Sequence, residues 1–241
     1  MRAHPRTRIA LVVGGVVVLG GVAAAIAGPV VYRDLIVGAP DAAPTLQAET
    51  RKQEPTSSAT PSADPLASLP SSWKVASGSY AGYRVDERLN GTPVTVTGRT
   101  RAVSGSITTA NGAVTAGRVV VDLRKVATNE PARDAYFRST ALDTARYPTA
   151  TFTLRGPLSA PPGTKLGAVV EVVAAGTLKM HGKQQQVSVP LQTVVGPKSS
   201  QVAGSIPIRF SDYGVTAPDL AFVKVEPTGR VEFLLKLSPA S

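Results

Sequence analysis

"AGRVVVDLRKVATNEPARDAYFRSTALDTARYPTATF", residues 116–152, holds the two patterns that decide the fold. At its start, Val119, Val121 and Leu123 share one side of "RVVVDL". At its end, Ala150 and Phe152, with Leu154 just beyond, oppose Thr149, Thr151 and Thr153. Apolar residues at every second position mark a strand with one buried face. Between the two runs, in "NEPARDAYFRSTALD", the alternation fails. Pro131 follows a candidate cap at Asn129, and Ala, Arg and Leu favour a short helix lying outside the strands. Tyr147-Pro148 then forces an extended entry into the next strand.

The strand-like period recurs on both sides of this segment. Val94 and Val96, Val187 and Val189, Ile206, Ile208 and Phe210, and Val231, Phe233 and Leu235 each alternate with polar neighbours. With residues 73–88 and 166–180 the count reaches about eight strands. Pro190 and Pro207 lack the N–H that a ladder needs, so they belong at bulges or strand ends. Eight antiparallel strands bury their apolar faces by forming a sandwich or by closing into a barrel, and closure also removes exposed edges. A barrel of that size holds one small ligand or fills with side chains. Periodicity reads the same for a lined cavity and a packed core.

The chain divides sharply ahead of this region. Residues 9–32 carry no charge over a length that spans a bilayer as a helix. Arg2, Arg6 and Arg8 precede the run, which keeps the N-terminus cytoplasmic and exports the rest of the chain. Ala25-Ile26-Ala27 also fits a signal-peptidase site, so the segment reads as a signal anchor or a cleaved signal peptide. The anchor is favoured, because the apolar run continues past that site. The reading is a single-pass protein of the cytoplasmic membrane with an extracellular C-terminal domain, secreted if the segment is cleaved. Residues 33–72 are dominated by Ala, Pro, Ser and Thr and read as a disordered tether; residues 1–8 form a cytoplasmic tip and 73–241 the folded domain.

With no cysteine in 241 residues, neither a disulfide scaffold nor a lipoprotein anchor is available. His4 and His181 are the only histidines, so a Ser-His-Asp arrangement would have to use His181, which sits in the turn "KMHGK" and reads as solvated. A lone histidine between lysines is poor ground for a metal, and none is expected. Asp86 and Glu87 point to opposite faces of a strand and read as surface charge. No phosphate loop or dinucleotide fingerprint is present, and no cofactor is expected. The exported domain carries 20 Lys plus Arg against 11 Asp plus Glu, which favours anionic partners. It lacks the stacking aromatics of a single-strand nucleic-acid binder. Asp134 and Arg138, spaced i and i+4, suit a surface pair on the short helix.

Residues 116–152 resemble the central signature of YceI-like proteins: a strand, a threonine-containing turn, an Arg-Asp pair, a short helix, then Tyr-Pro leading into a Thr/Phe strand. "GTLKMHGKQQQVSVP", residues 176–190, is similar to that family's strand, glycine turn and strand. "IRFSDYGVTAP", residues 208–218, is similar to its late Phe-x-x-Tyr-Gly segment. The anchor and tether make the chain look like a membrane-anchored, actinobacterial-type member. The resemblance implies an all-β fold: an extended, antiparallel, eight-stranded, lipocalin-like barrel with one short helix, preceded here by a transmembrane helix and a disordered linker. It implies a non-enzymatic module that holds an isoprenoid lipid, either a polyprenyl phosphate or a quinone.

An isoprenoid needs an apolar tunnel for its tail and polar donors for its head. On the resemblance, Val119, Val121, Phe137, Phe152, Phe210 and Phe233 are the lipid-binding candidates. Arg133, Asp134, Arg138, Tyr147 and Tyr213 are the head-group candidates at the mouth. The partners implied are an isoprenoid lipid and the cell membrane, with a homodimer left open. The rival reading is a filled barrel whose charge binds acidic wall polymer, as a structural or interaction domain of the cell surface.

Overall fold

The computed structural model describes residues 39–46, 66–219 and 223–240. The expected tip, the 9–32 segment and residues 33–38 and 47–65 of the tether lie outside the described residues, as does Ser241. Among the described residues no helix is long and apolar enough to cross a membrane.

Eleven strands form one antiparallel sheet: β1 (Ser72–Val75), β2 (Tyr80–Leu89), β3 (Thr92–Thr100), β4 (Val103–Ala110), β5 (Ala113–Asp122), β6 (Thr149–Leu154), β7 (Leu158–Ser159), β8 (Val169–Met180), β9 (Lys183–Val194), β10 (Ser200–Arg209) and β11 (Val223–Pro239). β1 hydrogen-bonds β4 on one side and β11 on the other. This closes the ring β1-β4-β5-β6-β8-β9-β10-β11 and leaves no free edge there. β11 is long enough to serve two partners, pairing β1 through residues 237–239 and β2 through residues 223–234.

β1 and β2 are two parts of one bent path, as are β3 and β4. The first bend is stitched by Ser79, whose Oγ donates to Ala76 O at 2.7 Å and accepts from Lys236 N at 2.9 Å. Counted by path, the barrel has the eight strands that the alternation predicts. β4 escapes a sequence reading because "VSGSITTA" offers only Val103 and Ile107 as sizeable apolar residues.

The prolines sit inside strands, not at their ends. Pro190 pairs with Val173, and Pro207 with Arg230. Both are tolerated because β9 and β10 pair only over residues 191–194 and 201–204, so each proline turns its missing donor toward a gap in the ladder. Toward the same end, the helical turn of residues 210–213 packs against both strands.

The expected helix is α1 (Pro131–Tyr136), continued by wider turns to Ala141. Its cap is Glu130, not Asn129: the Glu130 carboxylate accepts from Ala132 N at 3.1 Å. Asp134 forms no surface pair with Arg138. It is buried, accepting from Thr128 N and Thr128 Oγ1, each at 2.8 Å. A short carboxylate that reaches two donors on the preceding turn gains more there than from an exposed i,i+4 pair.

Part of the expected disordered tether is a strap on the barrel's outer wall. Asp41 N donates to Thr97 Oγ1 at 3.2 Å, Arg84 donates to Asp41 O, and Arg99 donates to Ala42 O. Five residues on, Leu46 N donates to Gln192 Oε1 at 3.1 Å. The strap therefore spans from β3 and β2 to β9, over a wall region where Arg84 Nε meets the buried Glu232 carboxylate at 2.6 Å. Low-complexity composition does not prevent docking when cross-wall donors satisfy the segment's carbonyls.

Candidate functional site

Inward-facing side chains surround a cavity of about 210 Å³. Val114 and Val121 both line it and stand seven residues apart on β5. At ~3.3 Å per residue and a typical strand tilt of ~40°, that gives a depth of about 18 Å along the barrel axis. No ionisable side chain lines it. The polar lining residues are Thr109, Ser159, Thr193, Ser200 and Gln201, all at strand ends around one mouth of the barrel; Gln201 pairs with the exposed Lys236, so its side chain stands on the outer face. Below this collar of hydroxyls the wall is aliphatic and aromatic.

Two glycines keep the lumen open. A Cβ on Gly176 would lie 2.2 Å from the ring of Phe152, and one on Gly204 would lie 2.6 Å from that of Phe233. Each ring occupies space against the wall that only glycine leaves free, so neither ring has to cross the tunnel. With both rings set beside glycines, about 210 Å³ between the strands stays free of side chains.

The opposite end is plugged. Leu123, Val126, Leu142, Met180 and Tyr213 form the floor with Leu178 and Ile206. Tyr213 is 2% exposed, and burial pushes its phenol up to about 12. His181 is not a free turn residue: its Nδ1 lies 2.9 Å from Tyr213 O, and its ring meets Tyr147 edge-on at 5.0 Å.

Val119, Val121, Phe152 and Phe233 line the cavity. Phe137 does not: it stacks on Tyr83 at 5.2 Å beside the floor. Phe210 does not either, since it opens the helical turn of residues 210–213 and its ring approaches Gly229. None of the five head-group candidates lines the cavity, and the mouth expected at their end is closed. Arg133 reaches Glu87 at 3.4 Å, Asp134 holds Thr128, and Tyr147 and Tyr213 flank His181. Arg138 holds Thr144 N through its own carbonyl. The crowding of charge and aromatics between the two opening strands builds the floor's outer shell.

Glu87, read from spacing as surface charge, is instead buried at 5% exposure. Desolvation raises its carboxyl pKa, while the nearby Arg133 guanidinium opposes the rise.

Sequence reasoning missed the mouth. Leu66 and Leu69, from the end of the Pro/Ser-rich tether, line its rim. Trp73 lines the wall beside them, with Nε1 donating to Pro70 O at 2.8 Å. The available signal was the Leu-x-x-Leu spacing just before the lone tryptophan.

A profile described as the YceI-like domain matches residues 73–237. A solved polyisoprenoid binding domain from Saccharophagus degradans, implicated in plant cell wall breakdown, is 25% identical with a TM-score of 0.58. The match covers 71% of this chain and 99% of that one. Burkholderia cenocepacia BcnA is similar in fold, at 19% identity and a TM-score of 0.50, covering 64% and 95%. No curated protein matches the chain.

Proposed function

The chain belongs to the YceI-like domain family, and we propose that it is an exported, membrane-tethered, non-enzymatic carrier that holds an isoprenoid lipid in its barrel. The tail lies in the cavity and the head stays at the open mouth, against the Thr109, Ser159, Thr193 and Ser200 collar. The observation that carries this reading is the polarity gradient: hydrogen-bonding groups at one mouth, an aliphatic and aromatic lumen below, and no charge in the lining. Each methylene moved from water into such a lining contributes about 0.8 kcal/mol. An uncharged interior gives an apolar tail no competing group to desolvate.

The likeness to the polyisoprenoid binding domain of Saccharophagus degradans supports the same ligand class here. The charge-free segment 9–32 supports tethering at the outer face of the cytoplasmic membrane. This is the arrangement of a membrane-anchored, actinobacterial-type member.

The test is native and organic-extract mass spectrometry on residues 39–241, which include the strap and the rim leucines. A stoichiometric polyprenyl phosphate or isoprenoid quinone is the expected result. A protein that purifies empty and stays empty when offered both lipids would overturn the reading.

A further inference from the structure

We propose that the open end of the barrel is a docking surface for an anionic bilayer, with Leu166 inserting between head groups and Lys165 and Lys198 contacting their phosphates. Three observations converge on this end. The first is charge. The segments that form the end, residues 66–71, 111–112, 155–168, 195–199 and 238–240, carry Arg155, Lys165 and Lys198 and no acidic residue. These three cations are exposed and have no carboxylate partner among the described residues. The plugged end is different, with Glu130, Asp134, Asp143, Asp212 and Asp219 interleaved among its cations.

The second is apolar exposure. Leu166 and Val173 are the exposed large hydrophobic residues among the described residues, at 39% and 62%. Leu166 directly follows Lys165. Val173 faces outward on β8, since Val172 and Ala174 line the cavity. Val173 lies four residues beyond the open-end start of β8, on the outer wall below the loop that bears Leu166. Glu171, on the same outer face, is hydrogen-bonded by Gln192 Nε2 at 3.3 Å.

The third is continuity. Gly167 N donates to Val195 O at 2.8 Å, which ties the Lys165-Leu166 loop to the turn that bears Lys198. Ala160 and Val195 of these same loops line the mouth. Basic side chains flanking an exposed aliphatic one are the elements of interfacial attachment: cations gain from the negative surface potential while the apolar group enters the head-group boundary. Docking by this end sets the cavity's entrance on the lipid surface, so an apolar tail passes from bilayer to lumen without crossing water. The strap's far end at Gln192 lies on the same side of the barrel, in keeping with an oblique approach.

The purpose of this docking rests on the carrier reading, but its test does not. The chain has no cysteine, so single-cysteine probes are clean. Full-length protein bearing an environment-sensitive probe at Leu166→Cys, or at the neighbouring Ser199→Cys with Leu166 retained, is reconstituted into vesicles of phosphatidylcholine with phosphatidylglycerol. These vesicles contain no isoprenoid, and lipid uptake is measured separately. Quenchers carried on the lipid are expected to quench both probes, but not one at Thr140→Cys on the plugged end. The paired change Lys165→Gln and Lys198→Gln is expected to weaken docking about 25-fold, from ~5-fold for each lysine brought to an anionic surface. Added salt should act in the same direction. Quenching at residue 140 in place of 166 and 199, no quenching at any of the three, or equal quenching on pure phosphatidylcholine would each overturn the proposal.

Discussion

Gly176→Ala is expected to close the tunnel by moving a ring that glycine now accommodates. The added Cβ would lie 2.2 Å from both Cε2 and Cζ of Phe152 and 3.0 Å from Thr153 O. The backbones cannot separate easily, because Leu154 pairs with Gly176 and Thr153 with Thr177. The ring therefore has to swing into a lumen of about 210 Å³. Overpacking of this kind costs about 1–3 kcal/mol, which for a domain of this size lowers Tm by roughly 3–9 °C. A phenyl ring in the lumen also displaces a stretch of bound tail. Losing contact for about three methylenes at ~0.8 kcal/mol each weakens binding by about 2.4 kcal/mol, or some 60-fold in Kd. Titration with an isoprenoid and thermal melts followed by circular dichroism read the two effects separately. The double change Gly176→Ala with Phe152→Ala removes the clash and should recover binding while remaining less stable than the native chain. The reasoning fails if Gly176→Ala keeps native affinity and Tm, or if the double variant binds as poorly as the single one.

Three further expectations concern other parts of the wall. Arg84→Ala removes the partner of a buried carboxylate and a donor to the strap; it should cost roughly 3 kcal/mol in urea unfolding and speed hydrogen exchange in residues 39–46, and unchanged exchange there would show that the strap is held some other way. Trp73→Ala removes a 3%-exposed ring that joins β1 to the cavity wall; a loss of about 3–5 kcal/mol is expected, and a loss below about 1 kcal/mol would mean that β1 does not depend on it. Glu87 has a carboxyl pKa raised from its ordinary 4.5, first by desolvation and against the pull of Arg133. The folded state holds that proton more tightly than the unfolded one, so its contribution is fully present below the unfolded value and is lost as pH rises through the folded one. Relative to Glu87→Gln, the native chain should therefore lose stability as pH climbs from about 4 toward 7 in urea titrations; parallel stability profiles would contradict the assigned shift.

The strands were legible because their signal is local. Period-two alternation in residues 119–123 and 149–154 needs no knowledge of a partner strand, and the failure of that period over residues 129–143 marked α1. β4 was hidden because serine, threonine and glycine carry its alternation with little apolar contrast. Among the site residues, Val119, Val121, Phe152 and Phe233 stand on the inward face that alternation predicts, while a cavity for that face to line was implied only by the resemblance. Phe137, Phe210 and the head-group candidates could not, because their positions depend on which end of the barrel the β5–β6 and β10–β11 connections close. Leu66, Leu69 and strap residues 39–46 were hidden by a composition that looks like a free tether.

From sequence alone come the all-β class, the single short helix, the family resemblance and the apolar face of most strands. All of these depend on neighbours a few residues apart, where strand period, proline and glycine act directly. Whether that apolar face encloses a cavity, and which end opens, was settled only by tertiary structure. The edge of the Phe152 ring abuts Gly176 and that of Phe233 abuts Gly204, contacts between residues on adjacent strands that are far apart in the chain. The same alternating pattern would serve equally well with those inward-facing rings crossing the lumen; register across the closed sheet sets a glycine beside each one instead.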